Sequence, residues 1–327
     1  MIRHDDRIRI DVRVAPDELR RQLREDVRRG LTEQPKRLAA KWHYDEAGSR
    51  LFDEITRQPE YYPTGREREI LTARVDEIAE LSRAETLIEL GSGTGEKTRL
   101  LLTALARAGG LRRFVPFDVS EEVLRESAVA ILEAYPGIEI CGIVGDFEHH
   151  LDGLPLAGRA LAAFLGGTIG NLRRPERSRL LAALADSLGE GDLVLLGADL
   201  VKPRERLEAA YNDAGGVSSR FTLNLLAVLN RELGADFNPS RVRHHAVWDE
   251  AEECMDIGVV SLSAQRVTIA DLGIAVEFAE GEKLHTEISA KFRAEGLTAE
   301  LTAAGFDPVR FWTDAAGEFS LSLWSAG

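Results

Sequence analysis

Thr86-Leu87-Ile88-Glu89-Leu90-Gly91-Ser92-Gly93-Thr94-Gly95-Glu96-Lys97-Thr98 joins a short apolar run to a glycine loop and then to the start of a helical pattern. A strand, loop and helix in this order form a cradle for a nucleotide-like ligand. Glycines on alternate positions let the backbone come close, and the helix N-terminus offers free N–H groups. The spacing then separates ligand classes. Dinucleotide folds want G-x-G-x-x-G and phosphate loops want G-x-x-x-x-G-K-[ST]. Lys97-Thr98 supply the end of a phosphate loop, but Glu96 stands where its second glycine belongs. A carboxylate beside a triphosphate would repel it.

Glu89, Gly91, Gly93 and Gly95 instead give acid-x-G-x-G-x-G, the arrangement used with S-adenosylmethionine. That molecule carries an ammonium, a sulfonium and no phosphate, so acids near the loop are tolerated. Two later runs agree. Phe114–Asp118 reads as the next strand, and Asp118 at its end can hold both ribose hydroxyls. Ile138–Phe147 reads as a third, with Asp146 placed for the adenine amino group and Phe147 for the ring face. Any one of these carboxylates alone reads as a solvated cap. Together they fall at strand C-terminal ends, where open α/β sheets bind ligands.

A chain of 327 residues can bury about 75% of the surface its unfolded form exposes, and its length suits two domains. The net charge of −14 argues against nucleic-acid and anionic-membrane partners. Cys141 and Cys254 are the only cysteines and form no C-x-x-C pair, which fits a reducing cytoplasm and no structural zinc. No run of about 18 apolar residues appears, so a cytoplasmic protein without a membrane partner is expected. His149-His150 and His244-His245 sit in polar surroundings and read as solvated loop residues, so no metal is expected. A monomer acting on a small molecule is the expectation.

Strands and helices alternate from residue 86 to 199, the signature of a doubly wound α/β sheet. Helices are predicted near 97–108, 120–134 and 175–188, with strands at 139–145, 161–166 and 193–198. A helix at Leu297–Ala304 and a strand pair, Pro308–Thr313 with Glu318–Trp324, close the pattern. Between Asp199 and about Leu284 the alternation breaks into a long helical stretch (203–233) and antiparallel strands at 242–248, 255–269 and 274–279. The reading is therefore a Rossmann-like cofactor domain, 61–199 plus 286–327, and an α+β recognition domain, 1–60 plus 200–285.

Lys41–Asp53, with Pro59-Glu60-Tyr61-Tyr62-Pro63-Thr64, Phe164–Leu172, Asp199–Lys202, Asn230–Leu233 and Thr286–Arg293, is an ordered set of segments spread over nearly the whole chain. In these segments the chain resembles the histidine-specific Nα-methyltransferases of ergothioneine biosynthesis, class I methyltransferases in fold. The resemblance implies three methyl transfers from S-adenosylmethionine to the α-amino nitrogen of L-histidine, giving hercynine. It also implies residue roles. Tyr61, Glu287 and Ser289 would hold the imidazole. Asn171, Tyr211 and the backbone at Gly166 would hold the substrate carboxylate and amine, and Tyr44 would lie near the reacting nitrogen. Gly91, Lys97, Asp118, Asp146 and Phe147 would hold the cofactor. Tyr44 and Asn171 are the candidate catalytic residues.

Blander readings stand beside these. Tyr61 and Tyr62 suit packing before a Pro63 turn, Asn171 suits a helix N-cap, and Glu287-Ile288-Ser289 suits a wet strand face. Where the family usually has a methionine in the β-rich domain, ungapped alignment from Trp248 places Ile257, with Met255 two residues earlier on the same strand face. Ile257 as pocket lining supports a rival substrate, another amino acid or a biogenic amine. The trimethylated product is a fixed cation, so a pocket lacking basic residues near Asn171 is predicted.

Overall fold

The computed structural model describes residues 6–91 and 96–327. In chain order the strands are β1 (Ile8–Val12), β2 (Thr86–Leu90), β3 (Arg113–Asp118), β4 (Glu139–Val144), β5 (Ala160–Phe164), β6 (Leu193–Asp199), β7 (Val242–Asp249), β8 (Cys254–Ser261), β9 (Gln265–Ile269), β10 (Ile274–Phe278), β11 (Lys283–Ala290), β12 (Phe306–Thr313) and β13 (Phe319–Ala326). The helices are α1 (Pro16–Thr32), α2 (Glu46–Ile55), α3 (Tyr62–Ser82), α4 (Glu96–Arg107), α5 (Glu121–Ala134), α6 (Arg174–Ser187), α7 (Arg204–Tyr211), α8 (Val217–Leu233) and α9 (Ala294–Ala303). Two compact units result. The first holds the chain up to Val14, Gly65–Leu200 and Phe292–Gly327, and the second holds Ala15–Thr64 and Val201–Lys291.

The first unit is built on one eight-stranded sheet in the order β1-β4-β3-β2-β5-β6-β13-β12. Strands β1 to β6 run parallel, while β13 is antiparallel to both β6 and β12. Every residue of β2, β5 and β6 is buried, as expected of parallel strands covered on both faces. Leu87, Phe114, Ile140, Leu161 and Leu195 join helix residues such as Leu71, Leu102 and Ile131 in its core. Helix α5 starts where Ser120 Oγ accepts from Val123 N at 3.4 Å, with Glu121 and Glu122 in its first turn, a favourable charge at a helix N-terminus. Ala-, Val- and Leu-rich runs thus fix the layers, and the strand ends fix where the loops emerge.

The second unit joins a three-stranded antiparallel sheet, β11-β8-β7, a β9-β10 ribbon and helices α1, α2, α7 and α8. Its core runs from Val27 and Leu31 through Leu225, Leu226 and Leu229 to Val259, Ile269 and Leu284. Helix α2 begins at Asp45, whose carboxylate accepts from Gly48 N at 2.8 Å.

Several boundaries differ from the sequence reading. Residues 1–60 are assigned there to the recognition domain, yet β1 pairs with β4, Ile8 opposite Ile140 and Val12 opposite Val144, and so extends the large sheet. Residues from 286 are assigned there to the cofactor domain, yet β11 runs through Ala290 against β8, which places Glu287 and Ser289 in the second unit. The 203–233 stretch is two helices, broken where Asp213 caps α8 by accepting from Val217 N and Ser218 N at 2.7 Å. The 255–269 strand is two strands, β8 and β9. His244 and His245 lie within β7 rather than in a loop: His244 Nε2 is 2.9 Å from the Tyr211 carbonyl, and His245 Nε2 is 3.5 Å from Asp256.

Candidate active site

In the first unit the loops following β2, β3 and β4 emerge along one edge because these strands are parallel. They are tied to one another: Gly91 N donates to Phe117 O and Gly145 N to Asp118 O, both at 2.9 Å. Gly91 has φ +74, and among the described residues nothing lies near the position a Cβ would take, so its backbone is approachable. Gly93 and Gly95 lie outside the described residues. Asp118 ends β3 and accepts from Ser120 N at 3.0 Å, and Asp146 follows β4 and accepts from Glu148 N at 2.9 Å. Each carboxylate is held by an amide two residues on, a local turn that aims the side chain. The Phe147 ring stands edge-on to Phe164, centroids 5.4 Å apart.

Two buried acids, neither assigned a role by the resemblance, underlie this edge. Glu67 of α3 is 0% exposed, accepts from Gly166 N at 2.8 and 3.0 Å, and forms an ion pair with Lys97. It therefore fixes the backbone at Gly166 and the Lys97 ammonium together. The sequence carries a signal for it, since Glu67 shares the i, i+3, i+4 spacing of buried Ile70 and Leu71. Glu89 of β2 accepts from Thr98 Oγ1, and burial pushes its carboxyl up to about 8. Its other oxygen is buried with no hydrogen-bond partner among the described residues.

These features fit S-adenosylmethionine. Asp118 and Asp146 offer acceptors for hydroxyl and amine donors at strand ends, Phe147 offers a ring face, Gly91 leaves the backbone approachable, and one buried Glu89 oxygen has no partner among the described residues. Asn171 ends a single 3-10 turn, Thr168–Asn171, and is half-buried. It is not the N-cap of α6, a place taken by Arg173, whose N–H donates to Glu176 at 2.6 Å.

The second unit brings together Tyr44, Tyr61, Tyr211, Ile257, Glu287 and Ser289. Strand alternation puts Glu287 and Ser289 on one face of β11. Across the ladder Glu287 pairs with Ile257 and Ser289 with Met255, and in turn Ala246 pairs with Ile257 and Trp248 with Met255. The register shifts between His285 and Glu287 and is regular from there to Ala290, and Ile257 and Met255 are both buried beside Tyr61 and Tyr211 in one cluster. Aromatic rings cluster in this unit, and among them Tyr44 feels the charge of Glu287. Tyr44 is 5.6 Å from Phe52 and 5.4 Å from Phe221, while Tyr61 is 6.3 Å from Phe52 and 6.1 Å from Tyr211, centroid to centroid. Tyr61 therefore packs against Phe52 and Tyr211.

The electrostatics follow from that burial. Desolvation pushes the Glu287 carboxyl up to about 7, opposed by the Lys291 charge. Tyr44 is raised well above the ordinary phenol value, by burial first and then by Glu287, Tyr61 and Tyr211. It is a neutral phenol at any ordinary pH. Lys291 is a residue the sequence reading missed, although Glu287, Ser289 and Lys291 continue the same alternation. It is 3% exposed and donates to Tyr211 Oη and Ser289 Oγ, both at 2.8 Å. A basic side chain thus stands among the residues expected to hold the substrate.

Known proteins resemble this chain over most of its length. Residues 23–326 match the family described as "Histidine-specific methyltransferase, SAM-dependent". The chain is 53% identical over 301 residues to a histidine N-alpha-methyltransferase of Mycobacterium tuberculosis, covering 92% of this chain and 94% of that one. It is 52% identical over 310 residues to the protein of that name from Mycolicibacterium smegmatis, covering 95% and 97%. A longer Neurospora crassa protein, "Ergothioneine biosynthesis protein 1", is 29% identical over 88% of this chain and a 33% share of its own length. The chain belongs to the histidine-specific, S-adenosylmethionine-dependent methyltransferase family.

Proposed function

We propose that this protein methylates the α-amino nitrogen of L-histidine three times, using S-adenosylmethionine, to give hercynine in ergothioneine biosynthesis. The observation that carries the reading is the pairing of Glu287 and Ser289 on one strand face, walled by Tyr44, Tyr61 and Tyr211. Glu287 accepts from one ring nitrogen of the substrate and Ser289 serves the other. Asn171 and Tyr211 hold the substrate carboxylate and amine, and the backbone at Gly166 accepts from the amine.

S-adenosylmethionine supplies an electrophilic methyl group on a sulfonium that is already a good leaving group. What the protein adds is positioning, which contributes roughly 7–11 kcal/mol when reacting atoms are held aligned. Lys97, Asp118, Asp146 and Phe147 orient the cofactor, with Glu67 fixing Lys97. The amine must be unprotonated to react. The amine of a free amino acid, beside its own carboxylate, holds its proton more tightly than a peptide N-terminus, yet a small neutral fraction exists near neutral pH without a strong base. Tyr44, held as a phenol, orients the nitrogen through its oxygen, and the departing proton leaves to water. The aromatic faces of Tyr44 and Tyr61 accommodate the growing cation.

The same reading proposes a cytosolic monomer. Among the described residues no helix is long and apolar enough to cross a membrane. Mass spectrometry of products from histidine and S-adenosylmethionine tests the activity. Mono-, di- and trimethylhistidine are expected, and failure to methylate histidine while tryptophan, tyrosine or histamine is methylated would overturn the substrate assignment.

A further inference from the structure

Lys291, Ser289 and Tyr211 form a closed triangle in which every edge is 2.8 Å: Lys291 Nζ to Ser289 Oγ, Lys291 Nζ to Tyr211 Oη, and Tyr211 Oη to Ser289 Oγ. The ammonium also lies 4.9 Å from the Tyr211 ring centroid. Lys291 follows β11 directly and is pinned there by its backbone N–H, which donates to Glu253 O at 2.8 Å. Both Lys291 and Ser289 are buried.

An ammonium has three donors and no acceptor, so both hydroxyl oxygens must accept from Lys291. One hydroxyl must then donate along the third edge. A phenol is the stronger donor and the weaker acceptor, so Tyr211 donates to Ser289. Ser289 Oγ thereby accepts twice, which fills both of its lone pairs, and its own proton is what it has left to offer a ligand. The neighbouring acid, Glu287, is an acceptor when ionised. The strand face consequently presents one donor and one acceptor, two residues apart.

We infer that Lys291 is a positioning residue that sets Ser289 as a donor, so that the site takes the substrate ring only as neutral imidazole, in one tautomer. This rests on the histidine reading. Neutral imidazole carries one N–H and one bare nitrogen, the complement of Glu287 and Ser289. Imidazolium carries two N–H groups, so one would meet the Ser289 proton, and its charge would meet the Lys291 ammonium. Indole has a donor and no acceptor and leaves Ser289 unmatched. The titratable groups that face this place are Glu287 and Lys291 from the β11 segment, Tyr211 from α7, Tyr44 and Tyr61. Strand β8 contributes Ile257 and Met255, and β7 contributes Ala246, Trp248 and the titratable His244, whose Nε2 is 2.9 Å from the Tyr211 carbonyl and whose pKa burial lowers, an effect common to both substrates compared below.

The test compares histidine with 1,2,4-triazolylalanine, a histidine analogue whose ring stays neutral throughout the range, so that amine and Glu287 titration affect both alike. Their KM ratio is measured at pH 7.5 and pH 5.5 with the wild-type enzyme, Lys291→Met and Lys291→Gln. An imidazole pKa near 6.5 predicts that the wild-type ratio rises about tenfold at the lower pH. In a folded Lys291 variant, judged by S-adenosylhomocysteine binding, Ser289 regains an acceptor site and the ratio flattens. A flat ratio in the wild type, or an undiminished rise in the variants, overturns the inference. Should both variants fail to fold, the wild-type ratio alone decides. Absence of histidine turnover by the wild type would instead refute the substrate reading on which it rests.

Discussion

Ile257 lies directly opposite Glu287 across the β8–β11 ladder, and the two form one side of the proposed ring site. Ile257 is 2% exposed and packs with Met255, Tyr61, Tyr62 and Tyr211. Ile257→Ala is expected to cost about 2–5 kcal/mol of stability, while Ile257→Met should cost less than about 1.5 kcal/mol because volume is nearly conserved. Denaturant titration measures both. A destabilisation under half a kilocalorie for the alanine variant would show that Ile257 is not part of a packed floor.

Glu287→Gln keeps the side chain's shape and removes its charge. Losing a charge-assisted hydrogen bond worth about 1.5–3 kcal/mol should raise the histidine KM roughly 10- to 100-fold. S-adenosylhomocysteine affinity, measured by calorimetry, should stay unchanged. An unaltered KM for histidine would remove Glu287 from the ring site.

The pH profile of kcat/KM follows from three groups that must lose protons: Glu287 at about 7, the substrate imidazole near 6.5 and the substrate amine above both. The profile should rise from pH 6 and then level, with no further limb from Tyr44, whose phenol is held well above its ordinary value. Tyr44→Phe should lower the plateau and keep the shape. Loss of an ascending limb in that variant would make Tyr44 the base.

Glu89 should leave a signature in stability. Its carboxyl is held at about 8, so between pH 4.5 and 8 the folded chain retains a proton that the unfolded chain gives up. That contribution is complete below the unfolded value and is lost as pH rises through about 8. His43, buried and held down to about 4, acts in the opposite sense between about 4 and 6.5. The informative quantity is therefore the difference between Glu89→Gln and wild type, which should grow in the variant's favour from pH 5 to 8 in thermal melts without cofactor. A difference independent of pH would contradict the assignment.

Glu67→Ala removes the buried partner of both Lys97 and Gly166 N. Breaking such a pair from one side costs about 3–5 kcal/mol. Cofactor affinity should fall as well, since Lys97 loses its anchor. Wild-type stability in this variant, read by urea unfolding, would refute the role given to Glu67.

Much of the cofactor unit can be read from the chain because parallel buried strands are continuous apolar runs, and carboxylates at their ends, such as Asp118 and Asp146, stand out against them. The edge strand β1 was not legible for the opposite reason: Arg9 and Asp11 break up its apolar residues, and only pairing with β4 reveals it. The pocket strand shows its alternation in Glu287 and Ser289, yet Lys291 looks like any charged residue until its ammonium is seen to donate to two hydroxyls. Glu67 is similar, since a helix acid three and four residues before apolar positions gains meaning only from the amide it receives.

Gly197 in β6 is where that acid finds its room. A Cβ placed on Gly197 would come within 2.1 Å of Glu67 Oε1, so even alanine there collides with the carboxylate. A missing methyl group on a central strand thus leaves the Glu67 carboxylate the place from which it holds Lys97. Any chain of this family that bears a side chain at the equivalent place must anchor its loop lysine by some other means.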